Sequence, residues 1–158
     1  MRQPTGWLPA FQIVRDLLTP KECHDLIQTA NTCAYPALRI GDDGTTYTDR
    51  EFRRCHTSHI KPGMSAYVPV SDRIIERLGE INQSYGFEFF PERERMVPMI
   101  NVNRYDAAEF GGIGEHTDVG GFEDTENCKL AITIVLNKGF SGGDLNLYTG
   151  YRYKPTEK

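Results

Sequence analysis

An α+β fold is predicted for this chain, because two amphipathic helical segments come first and alternating, β-branched segments follow them. The first helix opens at Thr19-Pro20-Lys21-Glu22, where a cap hydroxyl, a proline at the first helical position and a glutamate three residues after the cap make a capping box. Cys23, Leu26, Ile27 and Ala30 recur at helical spacing, so this helix is expected to end near Asn31 with His24 facing solvent. Ser71-Asp72 is read as the start of a second helix with Ile74, Ile75, Leu78 and Ile81 on its apolar face and Gly86 at its end. Between the two helices, residues 35–64 show no sustained period and are expected to be irregular, with Gly41-Asp42-Asp43-Gly44 as a turn.

Past Glu88 the period changes. Met99, Asn101, Asn103 and Tyr105 fall on one strand face, and Ile100, Val102 and Arg104 on the other. A polar, glycine-rich connection over residues 106–127 leads into residues 130–136, whose β-branched density predicts a well-buried strand. Residues 137–143 read as a turn in which Gly142 and Gly143 supply positive φ, and a further strand is expected over residues 144–148. Helices first and strands after suggest that the helices back one face of a sheet.

At 158 residues with 39% hydrophobic side chains, the chain fits a single domain over residues 1–158. A net charge of −4 argues against nucleic acid or an anionic membrane as partner, and the densest basic run, Arg50, Arg53 and Arg54, is too short to reverse that. Cys23, Cys33, Cys55 and Cys128 lack CxxC spacing, which signals neither a zinc knuckle nor a disulfide framework and fits a reducing cytoplasm. The N-terminal stretch has one basic residue and prolines within its apolar part, unlike a signal peptide or a membrane span.

The chemistry concentrates at His116-Thr117-Asp118. If this triplet closes an alternating strand, His116 and Asp118 share a side and can be presented to one ion. Imidazole, carboxylate and a third ligand from elsewhere form the facial triad that holds non-haem Fe(II) and leaves positions open. Such a pair taken alone is unspecific, and an exposed loop pair is the blander reading. Its surroundings narrow the choice. Asn103-Arg104-Tyr105 precedes it by eleven residues, counted from Tyr105 to His116, and Leu136-Asn137 and Phe140-Ser141-Gly142-Gly143-Asp144-Leu145 follow. In this order, with Leu18-Thr19-Pro20-Lys21-Glu22-Cys23 in front, these motifs resemble the prolyl-4-hydroxylase-like branch of the 2-oxoglutarate- and Fe(II)-dependent oxygenases over roughly residues 17–148.

The resemblance implies a double-stranded β-helix (jelly-roll) core backed by the N-terminal helices. It also implies Fe(II), 2-oxoglutarate as cosubstrate and ascorbate as an auxiliary reductant. Carried over by position, the metal ligands fall on His116 and Asp118 and the cosubstrate-contacting tyrosine on Tyr105; Asn103, in an Asn-x-Tyr arrangement similar to that of AlkB-type dealkylases, is a second cosubstrate contact. The implied reaction is hydroxylation of an amino-acid or peptidyl, prolyl-like substrate with release of succinate and CO2, the acid at position 118 favouring hydroxylation over halogenation. Three departures from the family pattern stand out: the 106–115 loop is slightly long, Ala107-Ala108 replaces the usual glycine, and no histidine follows His116. The family's distal histidine and the Arg or Lys that pairs with the C5 carboxylate belong on a later strand. The chain is therefore read as C-terminally truncated, inactive alone, and open to pairing with another chain along its sheet edge. His56 and His59 are the fallback ligands, and Arg53, Arg54 and Arg104 the fallback carboxylate partners if they are not paired with structural acids. The rival readings are an AlkB-like nucleic-acid dealkylase and a non-catalytic jelly-roll binding module.

Overall fold

The computed structural model describes residues 11–37, 39–40, 45–85, 99–116, 118, 131–147 and 152–153. The chain is α+β, with two helices and small antiparallel sheets. It divides into two compact units, each built from two chain segments: Met1–Ala34 with Ser58–Val102, and Tyr35–Thr57 with Asn103–Lys158.

Helix α1 (Pro20–Cys33) opens as expected. The Thr19 hydroxyl accepts from the Glu22 N–H at 3.2 Å, and the Glu22 carboxylate accepts from the Thr19 N–H at 2.7 Å. The Thr19 N–H and the Thr19 hydroxyl, which both donate to it, hold the Glu22 carboxyl below its usual range. The associated stability is present above the ordinary value of 4.5 and is lost as pH falls through the lowered one. Thr19→Ala should destabilise the fold by about 0.5–2 kcal/mol in urea unfolding, because the Glu22 N–H loses its cap. His24 is exposed, as its place on the helix leads one to expect.

Helix α2 (Tyr67–Tyr85) begins four residues before the expected Ser71. Pro69 falls in its first turn, where a missing N–H costs nothing. Ser71 is therefore inside the helix: it is fully buried, and its hydroxyl donates to the Val68 carbonyl at 3.0 Å. Leu26 and Ala30 from α1, and Val70, Ile74 and Leu78 from α2, recur at intervals of four and form the buried core of the first unit with Leu18, Ile60, Ala66 and Tyr67. Arg73 reaches Glu22 at 3.5 Å, an ion pair from α2 to α1. No helix among the described residues is long and apolar enough to cross a membrane.

The segment expected to be irregular contains strands: β1 (Tyr35–Pro36), β2 (Arg39–Ile40), β3 (Thr46–Tyr47), β4 (Arg53–Arg54) and β5 (His56–Ile60). The intervening Gly41–Gly44 turn lies outside the described residues, although β2 and β3 pair antiparallel on either side of it. Strand β5 escapes detection because its buried positions include Thr57 and Ser58 as well as Ile60, so no apolar alternation marks it. Ser58 is tolerated there because its hydroxyl donates to the Ala30 carbonyl at 2.7 Å.

Strand β6 (Ile100–Arg104) lies where period two places it, and the three-stranded sheet has the order β1-β5-β6. A 3-10 turn (Ala107–Glu109), β7 (Gly112–Ile113), β8 (Leu145–Asn146) and β9 (Arg152–Tyr153) follow among the described residues; β4 pairs with β7 and β8 with β9, both antiparallel. Gly139, Gly142 and Gly143 have φ of 84°, 78° and 70°, so the expected turn with positive φ is present. The buried strand expected over residues 130–136 is not. Residues 131–136 carry no strand, Ile132 and Val135 are 47% and 41% exposed, and Leu130 lies outside the described residues. β-branched density measures fit to a pleated face; it supplies neither a ladder partner nor a cover.

Candidate metal centre

The candidate site belongs to the second unit and is built outward from the β4–β7 ladder, in which Arg53 pairs with Ile113 and Arg54 with Gly112. Beyond it the Gly114 N–H donates to the Phe52 carbonyl at 2.7 Å, which extends the pairing by one bond. The strand ends there. His116 and Asp118 therefore do not close an alternating strand as expected; they follow it in a bend, because the Gly114 carbonyl turns to the His116 ring, 2.9 Å from Nδ1. The bend nevertheless brings the two side chains together, with Nε2 of His116 3.5 Å from Oδ1 of Asp118. Both remain open to solvent, 41% and 56% exposed.

Two contacts fix the His116 ring. A carbonyl oxygen only accepts, so Nδ1 carries the hydrogen and donates to Gly114. Phe52 packs edge-on against the imidazole, centroids 6.3 Å apart at 77°. Gly114 is what lets Phe52 come this close, since a Cβ there would stand 2.8 Å from the Phe52 ring.

The Asn103–Tyr105 end of β6 meets the same hairpin. Nη2 of Arg53 donates to Oδ1 of Asn103 at 2.9 Å, while Nε of Arg53 is buried and has no hydrogen-bond partner among the described residues. The buried Cys55 thiol and the Arg53 guanidinium lie near enough to the Tyr105 hydroxyl to act on it electrostatically. Loss of solvent around the phenol raises Tyr105 above the ordinary tyrosine value; Cys55 adds to the rise and the Arg53 charge opposes it. The residue as a whole is 45% exposed.

The 106–115 loop is tied at several points. Asp106 accepts from the Ala108 N–H at 2.9 Å, the Arg54 Nε donates to the Phe110 carbonyl at 2.9 Å, and Arg50 pairs with Glu109 at 2.9 Å. Ala107 and Ala108 open the 3-10 turn. A close approach is made at Gly111, where a Cβ would lie 2.9 Å from the Asp106 nitrogen.

His56 and His59 both lie on β5 and are half-buried. Among the described residues, no third His, Cys, Asp or Glu joins His116 and Asp118 in a group that could hold a metal ion. A cleft of about 340 Å³ lies in the first unit, lined by residues including Glu22, Asp25, Thr29 and Val70, and contains none of the site residues. Phe52 and Cys55 were not legible as site residues: each sits in the arginine-rich stretch without a motif, and only its neighbours across the ladder give it a role. The chain matches no protein-family model, no curated protein and no solved structure.

Proposed function

We propose that this protein is a 2-oxoglutarate- and Fe(II)-dependent oxygenase with a jelly-roll core, that His116 and Asp118 supply two of its metal ligands, and that it hydroxylates an amino-acid or peptidyl substrate. The observation that carries the reading is the facing pair. With Nδ1 donating to Gly114, the atom His116 turns toward the Asp118 carboxylate is Nε2, the ligand nitrogen of the usual metal-binding tautomer. Two lone-pair donors that face each other suit a cation placed between them. At 3.5 Å the gap is long for an N–H···O bond and near the roughly 3 Å that separates adjacent ligands each about 2.1 Å from one ion. One imidazole nitrogen and one carboxylate oxygen also suit Fe(II) chemically.

When bound, Fe(II) with 2-oxoglutarate would, with O2 as oxidant, supply oxidative decarboxylation to succinate and CO2, one oxygen atom going to succinate and the other to a hydroxylated C–H bond. The chain's own residues orient and select. Gly114 fixes the imidazole tautomer, Phe52 fixes the ring plane, and Tyr105, kept neutral by its surroundings, donates a hydrogen bond to the cosubstrate from a position beside Asn103.

Anaerobic addition of Fe(II) and then 2-oxoglutarate to the full-length protein should give the weak visible charge-transfer band of a chelated keto acid, with succinate released on admitting air. If neither band nor succinate appears, the oxygenase reading is wrong. Tyr105→Phe should raise the apparent KM for 2-oxoglutarate about 2- to 10-fold, the worth of one hydrogen bond of roughly 0.5–1.5 kcal/mol. Because the Tyr105 value lies above 10.0, the difference should persist across neutral and mildly alkaline pH. Any stability this shift adds is present below 10.0 and is lost as pH rises through the raised value.

A further inference from the structure

The first unit carries a second cleft, of about 370 Å³, lined by residues 13–17 and by α2; it contains neither His116 nor Asp118. Its charges are mixed and even in number, with Arg15, Arg73 and Arg77 against Asp16, Glu76 and Glu80. A ligand of one sign would meet as much repulsion as attraction there. The bonding capacity of the six is unevenly spent. Glu80 is held by Arg77 and Glu76 by Arg73, in i,i+3 pairs along the helix. The Arg73 pairs are loose, 3.8 Å to Glu76 and 3.5 Å to Glu22, at or beyond the reach of an ordinary N–H···O bond. Nε of Arg77 is buried and has no hydrogen-bond partner among the described residues, which costs free energy unless a further acceptor is supplied. Arg15 and Asp16 are both exposed, and among the described residues neither has an ion pair or a side-chain hydrogen bond.

The cleft thus offers two kinds of unspent group. Arg15 and Nε of Arg77 are donors for an anionic oxygen, and Asp16 is a carboxylate without a cation. Ile13, Val14 and Leu17 add an apolar margin, Ile13 being 43% exposed. We infer that this cleft binds a small zwitterion of the α-amino-acid type with an aliphatic side chain, its carboxylate on Arg15 and Arg77, its ammonium on Asp16 and its side chain against Ile13, Val14 and Leu17. A ligand that carries both charges uses the unspent donors and the unspent acceptor together, and its own neutrality matches that of the lining. None of these residues belongs to the metal centre, so the site stands or falls separately from the oxygenase reading.

The probes are L-leucine, 4-methylpentanoate, which lacks the ammonium group, and 3-methylbutylamine, which lacks the carboxylate. Titrated at millimolar concentration into nitrogen-15-labelled full-length protein, L-leucine should shift the amides of residues 13–17 and 73–80. It should bind at least about threefold more tightly than either single-charge analogue, the worth of one solvent-exposed ion pair. Arg15→Gln should narrow the advantage over the amine, and Asp16→Asn should remove the advantage over the acid. Both residues are exposed, and asparagine tolerates the φ of 54° at position 16, so urea unfolding should be unchanged. The analogue comparison needs no substitution and decides even where a variant folds poorly. The inference is overturned by any of four results: no shift with L-leucine, shifts confined to other residues, either analogue binding as tightly as L-leucine, or an L-leucine affinity unchanged in a folded Arg15→Gln or Asp16→Asn variant.

Discussion

Replacing either His116 or Asp118 by alanine should weaken the Fe(II)–2-oxoglutarate complex by at least about 100-fold, because losing a direct ligand exceeds the 10- to 100-fold cost of losing a second-sphere partner. The two side chains face each other across 3.5 Å with no third His, Cys, Asp or Glu grouped beside them among the described residues, so neither variant has a substitute donor there. The measurement is the anaerobic charge-transfer band followed against Fe(II) at saturating 2-oxoglutarate. Bands of unchanged intensity and midpoint in both variants would show that the pair is an exposed His–Asp contact in a bend and nothing more. Phe52→Leu provides a graded control: it removes the edge-on ring without removing a ligand, so it should weaken the band far less than either alanine.

The second large effect is on stability. Leu26→Ala should lower the unfolding free energy by about 2–5 kcal/mol, since Leu26 is 1% exposed and its removal leaves a cavity between elements already fixed by the α1 cap and the Ser58–Ala30 bond. Ile60→Ala, at 0% exposure on β5, belongs to the same class. Ile132→Ala should change stability by no more than about 0.5 kcal/mol, because the residue is 47% exposed. Urea unfolding of the three variants separates a core of α1, α2 and β5 from one centred on residues 130–136. A loss at Ile132 as large as that at Leu26 would restore the buried strand that its composition suggests.

Local rules were enough for the features whose cause is local. The capping box at Thr19, the four-residue spacing of Leu26 with Ala30 and of Ile74 with Leu78, the alternation in β6 and the positive φ of Gly142 and Gly143 each follow from neighbouring residues. The pairing of His116 with Asp118 was legible as proximity but not as mechanism: a strand was expected to align them, and a bend closed by the Gly114 carbonyl does so. Features that depend on a distant partner were not legible. Strand β5 is polar at buried positions because α1 offers a carbonyl to Ser58, and Ile132 and Val135 are apolar yet exposed. The same holds for Arg53, one arginine among several in the sequence, whose meeting with Asn103 and Tyr105 is made by the fold across about fifty residues. Periodicity and caps act within a few residues and are written in the chain, whereas hydrogen-bond partners, burial and the placement of a charge depend on which segments the tertiary structure brings side by side.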